Sequence, residues 1–164
     1  MFERTSALLF SGSVVQCDDS CFAFGYGANP IGTAELDAVL GFFGAEFFAP
    51  SISGSGGHTL SVTRDALREI ERNVCRRMVV YLLQNDFKMF SVRPVTAASL
   101  ERLADAFMED MGECSCYTNT AAVPDSRGDC ASASWIPVTR STRDTLVCAA
   151  NARCVAYWVY SDDE

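Results

Sequence analysis

Residues 144–160, DTLVCAANARCVAYWVY, are two apolar runs separated only by Asn151, Ala152 and Arg153, and they constrain the fold more than any other stretch. Strands joined this tightly pair antiparallel, because a parallel pair needs a crossover of a dozen residues or more. With WIPVTR at 135–140 ahead of them they predict a three-stranded antiparallel meander. Alternation places Trp158 and Tyr160 on one face of the last strand and Val155, Tyr157 and Val159 on the other.

The rest of the chain is read against that sheet. Residues 7–17 and 21–27 predict a first hairpin around Asp18, Asp19 and Ser20, followed by a loop containing Gly27, Asn29, Pro30 and Gly32. Thr33 is a candidate N-cap for a helix to about Phe48, with Leu36, Val39, Leu40, Phe43 and Phe47 on one face and Pro50 as its stop. PSISGSGG at 50–57 reads as a flexible connector. A second helix is expected from Thr63 to about Gln84, with Leu67, Ile70, Val74, Met78, Tyr81 and Leu82 at helical spacing. FKMFSVR is expected as a short strand. Pro94 and Thr96 open a third helix with Leu100, Leu103, Phe107 and Met111 on its apolar face and Gly112 at C′. Residues 113–133 are small, polar and aperiodic.

The order is ββ-ααβα-βββ. It predicts one α+β domain over 1–164, an N-terminal β-hairpin and a C-terminal three-stranded antiparallel meander packed with about three helices. The βα alternation that builds a parallel nucleotide-binding sheet is missing.

Charge narrows the function classes. With 21 acidic and 13 basic residues the net charge is −8, the wrong sign for a general nucleic-acid binder, which needs a basic footprint to displace counterions from phosphate. A partner, if there is one, is expected to be basic. No apolar run approaches the roughly 20 residues needed to cross a bilayer. MFERTSALLFSGSVVQC lacks the long apolar region and small-residue cleavage site of a secretory signal, so a soluble, cytoplasmic protein is expected.

The chain has eight cysteines. If Asp19 centres the first turn, Cys17 faces Cys21; if Asn151 centres the last, Cys148 faces Cys154. A disulfide across so short a loop removes little chain entropy, and a reducing cytosol would not keep it. The expectation is therefore mostly free thiols, used as small buried apolar residues. Cys17, Cys21, Cys114 and Cys116 supply four thiols in CxxxC and CxC spacing, but CxC suits tetrahedral zinc poorly. No metal or other cofactor is expected.

Other chemistry is sparse. His58 is the sole histidine, and GSGGHT around it lacks the lysine of a phosphate-binding loop. Cys21, Ala23, Gly25 and Gly27 alternate on one strand face and Phe22, Phe24 and Tyr26 on the other, leaving a strip along which a helix or a ligand can come close. Gly25, Tyr26, Gly27 and Asn29 form the candidate ligand loop. FGYGANP resembles the substrate loop of the γ-glutamylcyclotransferase-like family, with Tyr26, Gly27, Ala28 and Asn29 where that family has Tyr-Gly-Ser-Asn. The resemblance spans seven residues and implies a loop at the end of a first strand with a glutamate base. Here alanine replaces the serine, a hairpin precedes the loop, and no glutamate is assigned.

The third helix carries the strongest electrostatic signal. Glu101, Asp105, Glu109 and Glu113 recur every four residues, and like charges at this spacing destabilise an isolated helix by about 0.2–0.5 kcal/mol per pair. Arg64, Arg68, Arg72 and Arg76 repeat the pattern on the second helix with opposite sign. Either the rows are solvated or pair within the fold, or the acidic row docks a basic partner surface, for example one built to hold nucleic acid. Two function classes follow. One is a non-catalytic inhibitor or adaptor, in the size and charge range of phage-encoded inhibitors of host defence nucleases such as anti-CRISPR proteins. The other is a small enzyme using the FGYGAN loop or a cysteine nucleophile.

Overall fold

The computed structural model describes residues 2–9, 15–16, 21–51, 56–86, 89–90, 96–127, 129 and 135–162. In chain order the elements are α1 (Glu3–Leu9), β1 (Val15–Gln16), β2 (Cys21–Ala28), α2 (Leu36–Phe43), β3 (Phe47–Pro50), β4 (Gly57–Leu60) and β5 (Arg68–Ile70). They continue with α3 (Arg72–Tyr81), β6 (Met89–Phe90), α4 (Ala97–Met111), β7 (Ser115–Thr118), β8 (Arg143–Ala150) and β9 (Cys154–Asp162). An antiparallel five-stranded sheet in the order β2-β9-β8-β7-β5 forms the centre, so the α+β class read from the sequence holds.

The sheet is buried on both sides, and the alternation of β9 decides what lies where. Cys154, Ala156, Trp158 and Tyr160 pack with Phe2, with Met78 and Val79 of α3, and with Leu103 and Phe107 of α4. Val155, Tyr157 and Val159 face the other way, toward Val39 and Phe43 of α2 and Leu60 of β4. The face assignment made from the sequence is the observed one. No helix among the described residues is long and apolar enough to cross a membrane.

Strand pairing differs at the N-terminus. Residues 3–9 are helical, β1 pairs with β6, and β2 lies along β9 from Cys21↔Ser161 to Ala28↔Cys154. The expected hairpin of 7–17 with 21–27 is therefore absent among the described residues. The aromatic residues Phe22 and Phe24 of β2 are instead placed against β9. Beside β9 their rings stand 5.8 and 4.4 Å from that of Trp158, which is fully buried.

Both early helices are shorter than their periodicity suggests. α2 stops at Gly44, whose φ of 60° is left-handed, and the chain turns back as the β3–β4 hairpin with Phe47 opposite Leu60 and Pro50 opposite Gly57. Pro50 and Gly57, the two ends of the PSISGSGG stretch read as a connector, are thus paired strand residues, and positions 52–55 lie outside the described residues. The expected 63–84 helix is interrupted by a 3-10 turn at Arg64–Ala66 and by β5, with Ile70 opposite Cys116. Leu67 belongs to the α2 side of the sheet and Met78 to the α4 side, so one apparent stripe serves two separate cores.

α4 follows its sequence closely. The Thr96 Oγ1 accepts from the Ser99 N–H at 3.2 Å, and Gly112 leaves the helix at φ 62°. The third strand of the meander is β7, not WIPVTR, whose Trp135 makes only an isolated bridge to Thr120. Buried Asp144 explains the substitution. Its Oδ2 accepts from the Val138 N–H, the Thr139 N–H and the Thr139 hydroxyl at 2.7–3.0 Å, and its Oδ1 from Asn119 at 2.7 Å. Residues 138–139 curl around this carboxylate instead of extending along the sheet.

Candidate functional site

α4 runs beside α3, and the acidic row lies along their seam. The Arg76 Nε donates to Asp105 Oδ1 at 2.5 Å and its Nη2 to Oδ2 at 3.2 Å, while Glu101 stands 3.8 Å from the same guanidinium. That hydrogen-bonded pairing holds the Asp105 carboxyl below the usual carboxylate range and pushes the Arg76 guanidinium up. Glu109 pairs with Arg4 of α1. Asp110 accepts from both the N–H and the hydroxyl of Thr5, at 2.9 and 2.7 Å, and so ties α1 to the same helix. Glu113 lies past Gly112, exposed and with no partner among the described residues.

Only half of the arginine row is helical. Arg64 precedes β5 and pairs with Asp37, and Arg68 is exposed on the edge strand. Arg72 donates to the carbonyls of Met108 and Gly112, both at 2.6 Å, placing its charge at the negative end of the α4 dipole. Toward its C-terminal end α4 sets Asp105, Glu109, Asp110 and Glu113 against Arg4, Arg72 and Arg76, so carboxylates outnumber guanidiniums there, whereas Glu101 shares its surroundings with Arg76, Arg77 and Arg127. Sequence reasoning missed Arg4 and Asp110, because no local pattern links a residue to one 105 positions away.

The candidate ligand loop is filled from inside. A Cβ at Gly25 would sit 2.4 Å from the Tyr157 hydroxyl, and one at Gly27 would sit 2.8 Å from the Phe42 ring. These glycines let the protein's own aromatic rings reach the strand. Asn29 is a structural clamp: its Oδ1 accepts from the N–H groups of Ile31 and Gly32 at 2.9 Å, and its amide donates to Asn151 O at 2.6 Å. Tyr26 is half-exposed, with its ring 4.5 Å from that of Phe2.

The cysteines are distributed differently from the symmetric pairing. Cys148 lies opposite Tyr157, and Cys154 opposite Ala28, on opposite faces of the sheet. The turn between them is asymmetric because the Asn151 side chain accepts from the N–H groups of Arg153 and Cys154 while donating to Met111 O. Cys75, Cys114, Cys116, Cys148 and Cys154 are free thiols, all but Cys114 buried. Cys114 and Cys116 lie 3.9 Å apart, and that hydrogen bond, followed by burial, pushes the Cys114 thiol up. Burial, with a smaller contribution from Cys116, does the same to Cys148. A nucleophilic cysteine needs the opposite shift, toward thiolate. Cys17 and Cys130 lie outside the described residues, among which no group of three or more His, Cys, Asp or Glu side chains is placed to hold a metal ion.

His58 sits on β4, its ring 2.7 Å from the Ser161 hydroxyl, which also accepts from Ser141 at 3.2 Å. Ser161 is buried, so this contact fastens the β3–β4 hairpin to β9. Comparison with known proteins finds no matching family model, no matching curated protein and no matching solved structure.

Proposed function

We propose that this protein acts by binding: the outer edge of α4 docks on a basic surface of a partner protein, and the protein serves as an inhibitor or adaptor in the cytoplasm. The observation that carries this reading is the charge surplus on the α4 face. Arg76 is shared between Asp105 and Glu101, and Glu113 has no partner among the described residues, so the face stays acidic after its internal pairing. Glu101, Glu109 and Glu113 are the contact groups; Asp105 positions Arg76. A partner that holds nucleic acid offers the complementary basic surface.

Exposed charges of this kind set association rate and salt dependence more than residence time. The test is capture of partners from the source cell by the parent and by a Glu101→Gln, Glu109→Gln, Glu113→Gln variant, at low and raised salt. A partner held by the parent at low salt and lost by the folded variant supports the docking face. An identical partner set for both overturns it.

A further inference from the structure

A cavity of about 270 Å3 lies between α3, the first half of α4 and the turn at 124–127. Its walls include Arg76, Arg77, Arg127, Glu101, Gln84 and Ser126. In a chain of net charge −8 this places three guanidiniums against one carboxylate. Arg76 is engaged by Asp105 and Glu101, but Arg77 and Arg127 have no carboxylate partner among the described residues.

The two free arginines are held by different means. Arg77 comes from α3, and its Nε donates to the Pro124 carbonyl at 3.2 Å, which anchors the guanidinium and leaves its terminal N–H groups available. Arg127 comes from a turn folded by Asp125, whose Oδ1 accepts from the N–H groups of Arg127 and Asp129 at 2.8 and 3.1 Å. The same turn carries Ser126 to the cavity wall. Arg77 and Arg127 are brought together here without an ion pair of their own among the described residues, beside a neutral hydroxyl and a neutral amide, with Glu101 the one carboxylate in the wall.

We infer that this cavity binds a small phosphate monoester. Two guanidinium forks and a hydroxyl supply more donors than one carboxylate can accept, whereas a phosphate dianion takes them all. The volume falls below the roughly 300–1,000 Å3 of pockets for drug-sized ligands, which favours a compact ester over a nucleotide. Arg77 and Arg127 clamp the phosphoryl oxygens, Ser126 and Gln84 donate from the sides, and Glu101 opposes the bound charge.

The test titrates glycerol phosphate, and separately inorganic phosphate, into the full chain at ionic strength held constant with sodium chloride. Calorimetry and thermal melting are the readouts. Saturable binding is expected, weakened about tenfold or more by Arg127→Gln and by Arg77→Gln, and unchanged by Arg153→Gln on the far turn. Arg127→Gln decides the matter even if Arg77→Gln loosens the turn, because the Arg127 side chain makes no described contact. Glu101→Gln is expected to tighten phosphate while weakening partner capture, so this inference and the docking face fail separately. Tighter binding of inorganic phosphate than of the ester would overturn the ester assignment. An absence of saturation, or binding insensitive to Arg127→Gln, would overturn the site.

Discussion

Arg76 grips Asp105 through two bonds, Nε to Oδ1 at 2.5 Å and Nη2 to Oδ2 at 3.2 Å, and this fork joins α3 to α4 across their charged seam together with the bonds of Arg72 to the end of α4. The Asp105 carboxyl titrates below its ordinary range, so its contribution is present above the unfolded carboxylate pKa and is lost as pH falls through the folded value. Asp105 is half-exposed, which limits the contribution to less than about 1 kcal/mol. Asp105→Asn is expected to lower stability by that amount at neutral pH, with the gap from the parent closing in acid. Urea melts at both pH values check this; a gap that persists in acid would contradict the assignment.

Asp144 is 1% exposed and accepts four hydrogen bonds. Asp144→Ala leaves buried donors on Asn119 and Val138, and part-buried ones on Thr139, without this acceptor, at about 1–3 kcal/mol for each buried group when not rehydrated. We expect a loss of about 3 kcal/mol or more and faster amide exchange at Val138 and Thr139. Retained protection at those two amides would show that the segment does not depend on the carboxylate.

Tyr157 and Gly25 are matched in size. Gly25→Ala is expected to cost about 1–3 kcal/mol by overpacking against the Tyr157 ring tip. Tyr157→Phe should recover part of that loss, since the hydroxyl is the nearest atom. A double-mutant cycle in thermal melting reads the coupling, and strict additivity would refute it.

The same tyrosine predicts an alkaline transition. Burial pushes the Tyr157 hydroxyl up to about 12. The folded pKa exceeds the unfolded one, so stability is complete below about pH 10 and falls as pH rises toward 12. Tyr157→Phe should flatten that fall in alkaline melts. Tyr157→Asp, which buries an unpaired charge, should abolish folding.

Alkylation distinguishes the thiols by depth. Cys75, Cys116, Cys148 and Cys154 are expected to resist modification in the native protein, Cys114 to react slowly, and all five to react on unfolding without reductant. Mass spectrometry of a digest gives the pattern. A disulfide among these five would contradict their assignment as free thiols.

Parts of the fold were legible in short stretches of chain. Apolar alternation from Val155 to Tyr160 set the faces of β9, and Thr96 with Gly112 bounded α4 within a residue. Periodicity misled where one stripe served two cores: Leu67 and Met78 share helical spacing yet pack on opposite sides of the sheet. The small strip at Ala23, Gly25 and Gly27 is a place of close approach, but for aromatic side chains and not for the helix or ligand that its composition suggests. What approaches it, Tyr157 and Phe42, was beyond local pattern.

The sequence by itself determined the α+β class, the antiparallel C-terminal pair, α4 with both its ends, and the acidic row of Glu101, Asp105 and Glu109. These depend on contacts within a few residues, where propensity, capping and short connections decide. Tertiary structure alone decided that β2 lies against β9, that β7 replaces WIPVTR beside β8, and that Arg4 and Arg76 meet the acidic row. It also decided that Arg77 and Arg127 share a cavity. These partners are about 30 to 140 residues apart, and nothing local distinguishes one long-range pairing from another. The burial of Trp158 between Phe22, Phe24 and Phe107 does, because pairing β2 with β9 beneath α4 brings those rings together.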